Sequence, residues 1–356
     1  MRQGTRNGPC PWGLTLLLVL GAVPAQAGTL VAEVSASQDF RAWALLGDVE
    51  LSQDETFLTF GYSGARTEPG TAPNHQLSLG VDHAVSTHWL VSGMVNVSAP
   101  KATLTPLARE MPRLNLPALA ARTSSSSQGI LLSAGYDSGG LSDVEYGVDL
   151  SAGLTRYPLR RQLLVRRGTD APTVTFQRLE KLLVLRPTLG GRLLLGTAWE
   201  LGLRGGFYLY SDDPLSVGQF SSEEQQALAD RYAQIAEDRQ LESAFVERLF
   251  RDLGAVVAGR LTDVNATSGF PSAPARFDVR PSVTYRFSSA IRGQLSYAFT
   301  RYVPGQGVGH VLSTRWTFRL AEPFRVWAAV ALQADVPEAG SSLRTGLATL
   351  GTEYTF

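Results

Sequence analysis

The sequence predicts an all-β fold: a transmembrane, antiparallel up-and-down β-barrel of fourteen strands, with twelve strands as the alternative. Three observations predict it. Apolar residues recur at every second position over much of the chain, these alternating runs are long, and no later apolar run is long enough for a transmembrane helix. A tilted strand needs about 10 residues to cross hydrocarbon, whereas strands of soluble sheets are commonly nearer five or six. A soluble β-sandwich would also alternate, but strand length argues against it.

The first 27 residues have the features of an export signal. Residues 1–27 combine a basic start, an apolar run at 14–23 and an A-x-A ending at Ala25–Ala27. We expect cleavage after this segment and a barrel domain at residues 28–356. The alternative, a membrane anchor, is disfavoured because the apolar run is shorter than the roughly 18 residues that a spanning helix needs.

The composition excludes two classes of protein. The chain has 32 Lys and Arg residues and 32 Asp and Glu residues, so its formal net charge is zero. A nucleic-acid-binding protein needs a clustered basic excess for phosphate contacts, and we therefore expect no nucleic-acid partner. The single cysteine, Cys10, lies in the expected export signal, which excludes an intrachain disulfide framework.

The alternation is clearest at 143–157, where Val144, Tyr146 and Val148 share one parity and Asp143 and Glu145 share the other. Counted back from the carboxy terminus, the same pattern predicts strands near 343–356, 323–334, 307–320, 291–303, 276–287, 193–211, 173–187, 143–157, 127–137, 88–98, 75–84 and 55–64. Two weaker candidates, 41–51 and 29–36, raise the number from twelve to fourteen, which we prefer. The parity slips at Leu182–Leu185, and a β-bulge would explain the slip.

Short and long connections alternate along the chain, as in outer-membrane barrels, whose short turns are periplasmic. Tight turns are predicted at 52–55, 85–87, 139–142, 190–192, 288–290 and 321–323. Longer outer links are predicted at 65–74, 99–126, 158–172, 211–275, 303–308 and 335–342. The link at 99–126, with its prolines and a serine run, is predicted to be a flexible loop.

The last residues of the chain form a recognisable pattern. Thr349, Gly351, Tyr354 and Phe356 present a polar residue, a glycine two positions later, an aromatic residue and a terminal aromatic residue. This pattern resembles the carboxy-terminal assembly signal of bacterial outer-membrane β-barrel (porin-like) proteins. The resemblance implies the outer membrane of a Gram-negative bacterium, surrounded by lipid and lipopolysaccharide, and insertion by the barrel assembly machinery.

Charged residues of the polar parity form two groups that a closed barrel would place inside. The candidate lumen basic wall comprises Arg204, Arg276, Arg280, Arg286, Arg292, Arg315, Arg319 and Arg325. The candidate lumen acidic wall comprises Asp143, Glu145, Asp149 and Glu200. One interpretation is a pore with a field across it, whose basic wall favours anionic solutes. The other is that these charges pair across a narrow lumen and largely close it.

Two loop features are candidates for further roles. Residues 221–253 are predicted to form one helix in the longest extracellular loop, because a possible capping box precedes apolar residues at helical spacing. The helix would either cap the barrel rim, gate the mouth or bind a partner. Arg160, Arg161, Arg166 and Arg167 cluster in the predicted outer link, where they would either bind lipopolysaccharide phosphates or be merely solvated.

These observations favour a porin-like channel or transporter for passive movement of small polar, possibly anionic, solutes. A non-conducting structural or surface-binding barrel is the alternative, and an outer-membrane lipid hydrolase is a distant third. No catalytic residues, metal site or cofactor are predicted, because the four histidines show no metal-binding spacing and no local catalytic signature is present.

Overall fold

Alternating apolar and polar residues fold into strands over most of the chain in a computed structural model of the protein. The structure describes residues 27–38, 40–52, 55–66, 74–108, 110, 118–139, 144–166, 169–216, 223, 274–338 and 340–356. The expected export signal, except for Ala27, and the expected helix at 221–253, except for Glu223, lie outside the described residues. No helix among the described residues is long and apolar enough to cross a membrane.

Seventeen strands are present in the described part of the chain. They are β1 (Gly28–Ala36), β2 (Arg41–Ser52), β3 (Thr56–Arg66), β4 (Asn74–Ala84), β5 (Trp89–Ser98), β6 (Lys101–Ala108), β7 (Ala118–Ser125), β8 (Gln128–Asp137), β9 (Val144–Arg166), β10 (Thr173–Leu195), β11 (Trp199–Phe207), β12 (Leu209–Tyr210), β13 (Ala275–Arg286), β14 (Ile291–Tyr302), β15 (Val308–Ala321), β16 (Phe324–Val336) and β17 (Leu343–Thr355). All pair antiparallel, mostly with their neighbours in sequence.

Fourteen of these strands form a closed barrel wall. Strands β6 and β7 form a hairpin between β5 and β8, and β12 continues the line of β11. These three strands therefore do not add to the number of strands around the wall. The sheet closes where β1 pairs with β17, from Thr29 opposite Thr355 to Ala36 opposite Ala348. The fold class and the preferred count of fourteen strands are therefore confirmed.

The outward face of the wall is apolar. Paired residues of an antiparallel sheet share a face, and on the outward parity the large apolar side chains are exposed, such as Leu203 and Leu295. Aromatic rings concentrate on this face near both ends of the strands. The belt near the chain termini includes Trp89, Tyr136, Tyr146, Trp199, Tyr285, Phe287, Trp316, Tyr354 and Phe356. The belt at the other end includes Trp43, Tyr62, His75, Phe207, Phe277, Phe299 and His310.

The two belts enclose a band of the height that hydrocarbon needs. Along β13 they are represented by Phe277 and Tyr285, whose separation corresponds to roughly 27 Å of strand at about 3.4 Å per residue. At a tilt near 40° this is about 20 Å of height, close to the apolar band of about 25 Å found in membrane barrels.

The carboxy-terminal residues each make a local contact at the barrel seam. The Thr349 hydroxyl lies 2.9 Å from the Ser35 hydroxyl of β1, and the Gly351 backbone leaves room for the indole of Trp327. Tyr354 and Phe356 present stacked rings on the outward face, with centroids 6.3 Å apart. The Phe356 N–H donates to the Gly28 carbonyl at 3.0 Å. Their role as an assembly signal stays a prediction.

The connections differ between the two ends of the barrel. The turn end, where Gly28 and Phe356 meet, carries the short connections between β2 and β3, β4 and β5, β8 and β9, β10 and β11, β13 and β14, and β15 and β16. The loop end carries the others. The predicted turn at 190–192 is wrong, because β10 runs on to Leu195 and Gly196 turns with a φ of 59°. Gly190 and Gly191 are instead strand residues, and the Asp149 side chain lies over Gly190.

Two predicted loops contain strands. β9 runs to Arg166 and β10 begins at Thr173, so most of the link predicted at 158–172 continues the wall beyond the barrel. The link predicted at 99–126 holds the β6–β7 hairpin, and β7 pairs with the upper part of β9. The result is a four-stranded sheet, β6-β7-β9-β10, that extends past the loop end.

The predicted bulge at Leu182–Leu185 is also wrong. β9 and β10 pair in unbroken register through these residues, and the shift in register lies between Val174 and Phe176. Leu182 and Val184 are 1% and 7% exposed and face inward, whereas Leu183 and Leu185 face outward. The parity is intact, and the run appears unbroken in sequence because both faces of the strand are apolar here.

Adjacent residues of β14 test the assignment of faces. Leu295 faces outward and is 49% exposed, whereas Ser296 faces inward and its hydroxyl lies 2.6 Å from that of Ser313. We expect Leu295→Arg to lower the free energy of unfolding in lipid bilayers by about 2–4 kcal/mol, because a charge would enter hydrocarbon. Ser296→Arg, at the same depth, is expected to cost less than 1 kcal/mol, since an added inward arginine meets a hydrated surface. Denaturant titration of liposome-embedded protein measures both, and equal losses would contradict the assignment.

Candidate functional site in the barrel interior

The inward face of the wall is charged and hydrated. The side chains of Arg192, Arg204 and Arg280 face inward, yet they are 51%, 56% and 54% exposed. Fourteen strands about 4.8 Å apart and tilted by about 40° give a wall roughly 28 Å across between backbones, wide enough for space to remain between opposite side chains. The half-exposed charges therefore line water-accessible space rather than a packed core.

The predicted interior residues that the structure describes lie on the inward parity of their strands, except that Arg276 stands at a register shift of β13 where no partner is assigned. The eight arginines are Arg204 on β11, Arg276, Arg280 and Arg286 on β13, Arg292 on β14, Arg315 and Arg319 on β15, and Arg325 on β16. Glu145 and Asp149 lie on β9 and Glu200 on β11. Asp143 lies outside the described residues. Their functional role stays a prediction.

Acids and arginines form ion pairs along the wall rather than across the interior. Arg204 donates to Asp149 at 3.1 Å, and these residues lie two strands apart, on β11 and β9. Gly190 of β10 stands directly between them in register, and a Cβ there would collide with the Asp149 carboxylate. The glycine thus lets the carboxylate lie flat over the middle strand. The acids do not form a wall apart from the arginines.

The same arrangement recurs on the next inward rung toward the turn end. Arg192 of β10 pairs with Asp137 of β8, and Gly147 of β9 lies between them in register. A Cβ on Gly147 would lie 2.8 Å from the Arg192 Nε. At both rungs, a glycine on the middle strand leaves the space that the ion pair needs to form across that strand.

Asp278 is the most deeply buried acid of the interior among the described residues. Its side chain is 3% exposed, and its Oδ2 accepts from Arg186 at 2.8 Å and from Arg280 at 2.9 Å. Gly206 of β11 makes room for the carboxylate, which a Cβ would approach to 3.1 Å. Two guanidinium groups thus share one carboxylate in the loop-end half of the wall.

Five arginines line a cavity of about 440 Å³ at the turn end: Arg286, Arg292, Arg315, Arg319 and Arg325. Three of the five have acidic partners, since Arg292 donates to Glu200 at 3.0 Å, Arg319 to Glu322 at 3.0 Å and Arg325 to Glu353 at 2.7 Å.

The other two, Arg286 and Arg315, have no carboxylate within 4.0 Å in the described part of the chain. The guanidinium of Arg315 lies 4.0 Å from the ring centroid of Trp327, an arrangement that fixes its position. The cavity lining therefore has two more guanidinium groups than direct carboxylate partners, and Glu33 and Glu353 interact electrostatically with Arg315.

The loop-end half of the interior is apolar on one side. Leu159, Leu182 and Val184 form a buried cluster on β9 and β10, and the rings of Tyr157, Tyr208 and Tyr210 pack against it. The cluster lies at the edge of a cavity of about 560 Å³ that also touches Arg186, Arg204 and Arg280. The interior therefore changes from an arginine-rich turn end to a mixed apolar and charged loop end.

Several interior residues were not among the predicted ones: Asp137, Arg186, Arg192, Asp278, Glu353, Trp327 and the tyrosines of the apolar cluster. Asp278 shares the inward parity of Arg280, so alternation alone could have found it. Arg186 and Arg192 lay in segments whose boundary was predicted at the wrong place. The glycines under the ion pairs have no signal in the sequence without the strand register.

The predicted arginine cluster at 160–167 does not form one patch. Arg160 and Arg166 are exposed on the outward face of β9, whereas Arg161 is 1% exposed and faces inward beside Leu159. Arg167 lies outside the described residues. The alternation of β9 separates these residues, which a loop would have allowed to converge.

Comparisons with known proteins find a shared fold. No protein-family profile matches the chain, and no curated protein matches it. Among solved structures, the chain is similar to the CymD monoaromatic hydrocarbon channel, with a TM-score of 0.50, 9% identity and coverage of 100% of this chain and 95% of that one.

Two further structures match at lower TM-scores. A Pseudomonas aeruginosa FadL homologue matches at 0.48, with 10% identity and coverage of 92% and 88%. The KdgM porin matches at 0.37, with 8% identity and coverage of 92% and 99%. The likeness to CymD, at this identity, indicates a common barrel fold.

The glycine beneath the Asp149–Arg204 pair provides a test of this geometry. Gly190→Ala is expected to displace the Asp149 carboxylate, break its pair with Arg204 and lower the free energy of unfolding by about 1 kcal/mol, as for a weakly coupled exposed pair plus local strain. Gly135→Ala is the matched control, because Gly135 lies on the other side of Asp149 in the same rung and a Cβ there meets nothing closer than 4.0 Å. Denaturant titration compares the two, and an equal effect would contradict the proposed close packing.

Proposed function

We propose that the protein is an outer-membrane channel for passive movement of small polar solutes, with a preference for anions. The observation that carries the proposal is the lateral pairing of half-exposed charges on the inward face. A barrel whose charges met across its interior would close itself. Here the pairs lie flat along the wall, and cavities of about 440 to 560 Å³ remain beside them.

The outer surface supports a membrane location. In water, apolar side chains all round the wall would have to be buried against another protein over a very large interface. In a bilayer, hydrocarbon tails are a suitable solvent for the same surface. The two aromatic belts suit the interfaces of a bilayer, and the expected export signal agrees with passage across the inner membrane. The turn end would face the periplasm, because both chain ends and the short turns lie there.

The charge of the turn end supports anion preference. Its cavity holds five arginines, of which three have a carboxylate partner, so guanidinium groups outnumber their direct carboxylate partners by two. Clefts lined by one sign of charge concentrate counter-ions and raise their rate of entry. CymD is a monoaromatic hydrocarbon channel, whereas the charged lining of this chain supports polar solutes.

Single-channel recording tests the proposal directly. Refolded protein, shown to be folded by a heat-modifiable gel shift, is added to planar lipid bilayers, and conductance steps with a chloride-to-potassium permeability ratio above one are expected. Absence of conductance from folded protein would contradict the proposal and favour the non-conducting structural barrel.

Replacement of the two arginines without acidic partners tests the origin of the selectivity. We expect Arg286→Gln combined with Arg315→Gln to lower the chloride-to-potassium permeability ratio at least twofold toward unity, because the excess positive charge of the turn end is removed. Arg160→Gln is the control, since this exposed arginine lies on the outward face and away from the interior. Reversal potentials in a salt gradient measure the ratio, and an unchanged ratio in the double variant would contradict the assigned site.

A further inference from the structure

The cavity of about 560 Å³ in the loop-end half has two chemically different sides. One side is formed by Leu182 and Val184 with the rings of Tyr157, Tyr208 and Tyr210. The other side carries three guanidinium groups, those of Arg186, Arg204 and Arg280. Its volume falls within the range of about 300–1,000 Å³ that is usual for pockets holding small organic ligands.

Among the described residues, the charged side has three guanidinium groups and two carboxylates that pair with them. Arg186 and Arg280 both donate to the same oxygen of Asp278, and Arg204 donates to Asp149. Three guanidinium groups therefore face two carboxylates. Since the two arginines on Asp278 share a single acceptor atom, each keeps further N–H groups for another acceptor.

The apolar side consists of three tyrosine rings and two aliphatic side chains, and one of the rings is in contact with an arginine. The Tyr210 hydroxyl is already committed, because it donates to the Ala275 carbonyl at 2.6 Å. The Tyr208 ring lies under the Arg186 guanidinium, whose Cζ is 4.8 Å from the ring centroid. A planar ligand would therefore meet rings and aliphatic groups on one side while its charged end reaches Arg186.

We propose that this cavity is a binding site for aromatic monocarboxylates, which deepens the proposed function by naming a solute class. One carboxylate balances the excess guanidinium group, and a flat ring covers the tyrosines and the aliphatic cluster. A neutral aromatic molecule leaves the excess charge unbalanced, and a small aliphatic carboxylate leaves the apolar side in contact with water. Only a ligand that has both a carboxylate and an aromatic ring can pair with the charged side and also cover the apolar side.

Binding of three probes to detergent-solubilised protein tests the site. Benzoate carries both features, acetate only the charge and benzyl alcohol only the ring. Isothermal titration calorimetry, with ligand-observed NMR for weak binding, is expected to show benzoate binding at least tenfold more tightly than either of the others. Equal affinity for acetate and benzoate would overturn the proposal, as would absence of benzoate binding at millimolar concentration.

Two variants separate the charged side from the apolar side. Arg186→Gln leaves Asp278 paired with Arg280 and is expected to weaken benzoate binding about tenfold, the size expected for one charge-assisted hydrogen bond. Tyr208→Ala is expected to weaken benzoate binding by a similar factor and leave acetate unaffected. Arg160→Gln is the matched control, because that exposed arginine lies on the outward face of β9 and does not line the cavity, and it is expected to change benzoate affinity less than twofold.

The readout is independent of conductance. Benzoate binding without conductance contradicts the channel and leaves the site intact, whereas conductance without benzoate binding contradicts the site alone. If Arg186→Gln does not give a heat-modifiable folded barrel, Arg280→Gln replaces it, since Asp278 then keeps Arg186. Loss of binding in the control to the same extent would overturn the assignment of the cavity.

Discussion

Closure of the sheet is the constraint on which the rest of the structure depends. In hydrocarbon each unpaired backbone N–H or C=O costs several kcal/mol, so a sheet there has to pair its first strand with its last. The pairing of β1 with β17 meets this requirement and brings Gly28 and Phe356 together. Because β1 and β17 pair antiparallel, the up-and-down wall has an even number of strands. The short connections lie at the end where Gly28 and Phe356 meet.

Closure also determines what alternation can do. Once the wall is a cylinder, every second side chain faces a shared interior, and charges that are distant in sequence become neighbours two strands apart. The interior then needs small residues wherever two long side chains meet over a third strand. Gly147 and Gly190 serve this purpose, and Gly206 does so beside Asp278. The polar wall therefore depends as much on residues without side chains as on the charged ones.

The sequence was sufficient for the architecture because the lipid-facing parity repeats over whole strands. It predicted all fourteen strands of the wall, including β1 and β2, whose alternation is weaker. It failed where both faces are apolar, as at Leu182–Leu185. It also failed where β9 and β10 run on past the loop end, because the outward face there carries charged residues such as Arg160 and Arg166. The acidic partners of Arg204 and Arg292 depend on how the strands are aligned with one another, and the alternation along a single strand does not contain that information.

The orientation of the ion pairs has a consequence for a solute travelling along the axis. A guanidinium–carboxylate pair that lies along the circumference has a dipole tangential to the wall, and the potential of such a dipole falls off more steeply with distance than that of a single charge. Mobile salt shortens its reach further, with a screening length of about 8 Å at physiological ionic strength. The paired charges would thus contribute little to the electrostatic potential at the barrel axis. The electrostatic potential far from the wall would be set mainly by the few arginines in excess of carboxylates, which lie at the turn end and in the loop-end half.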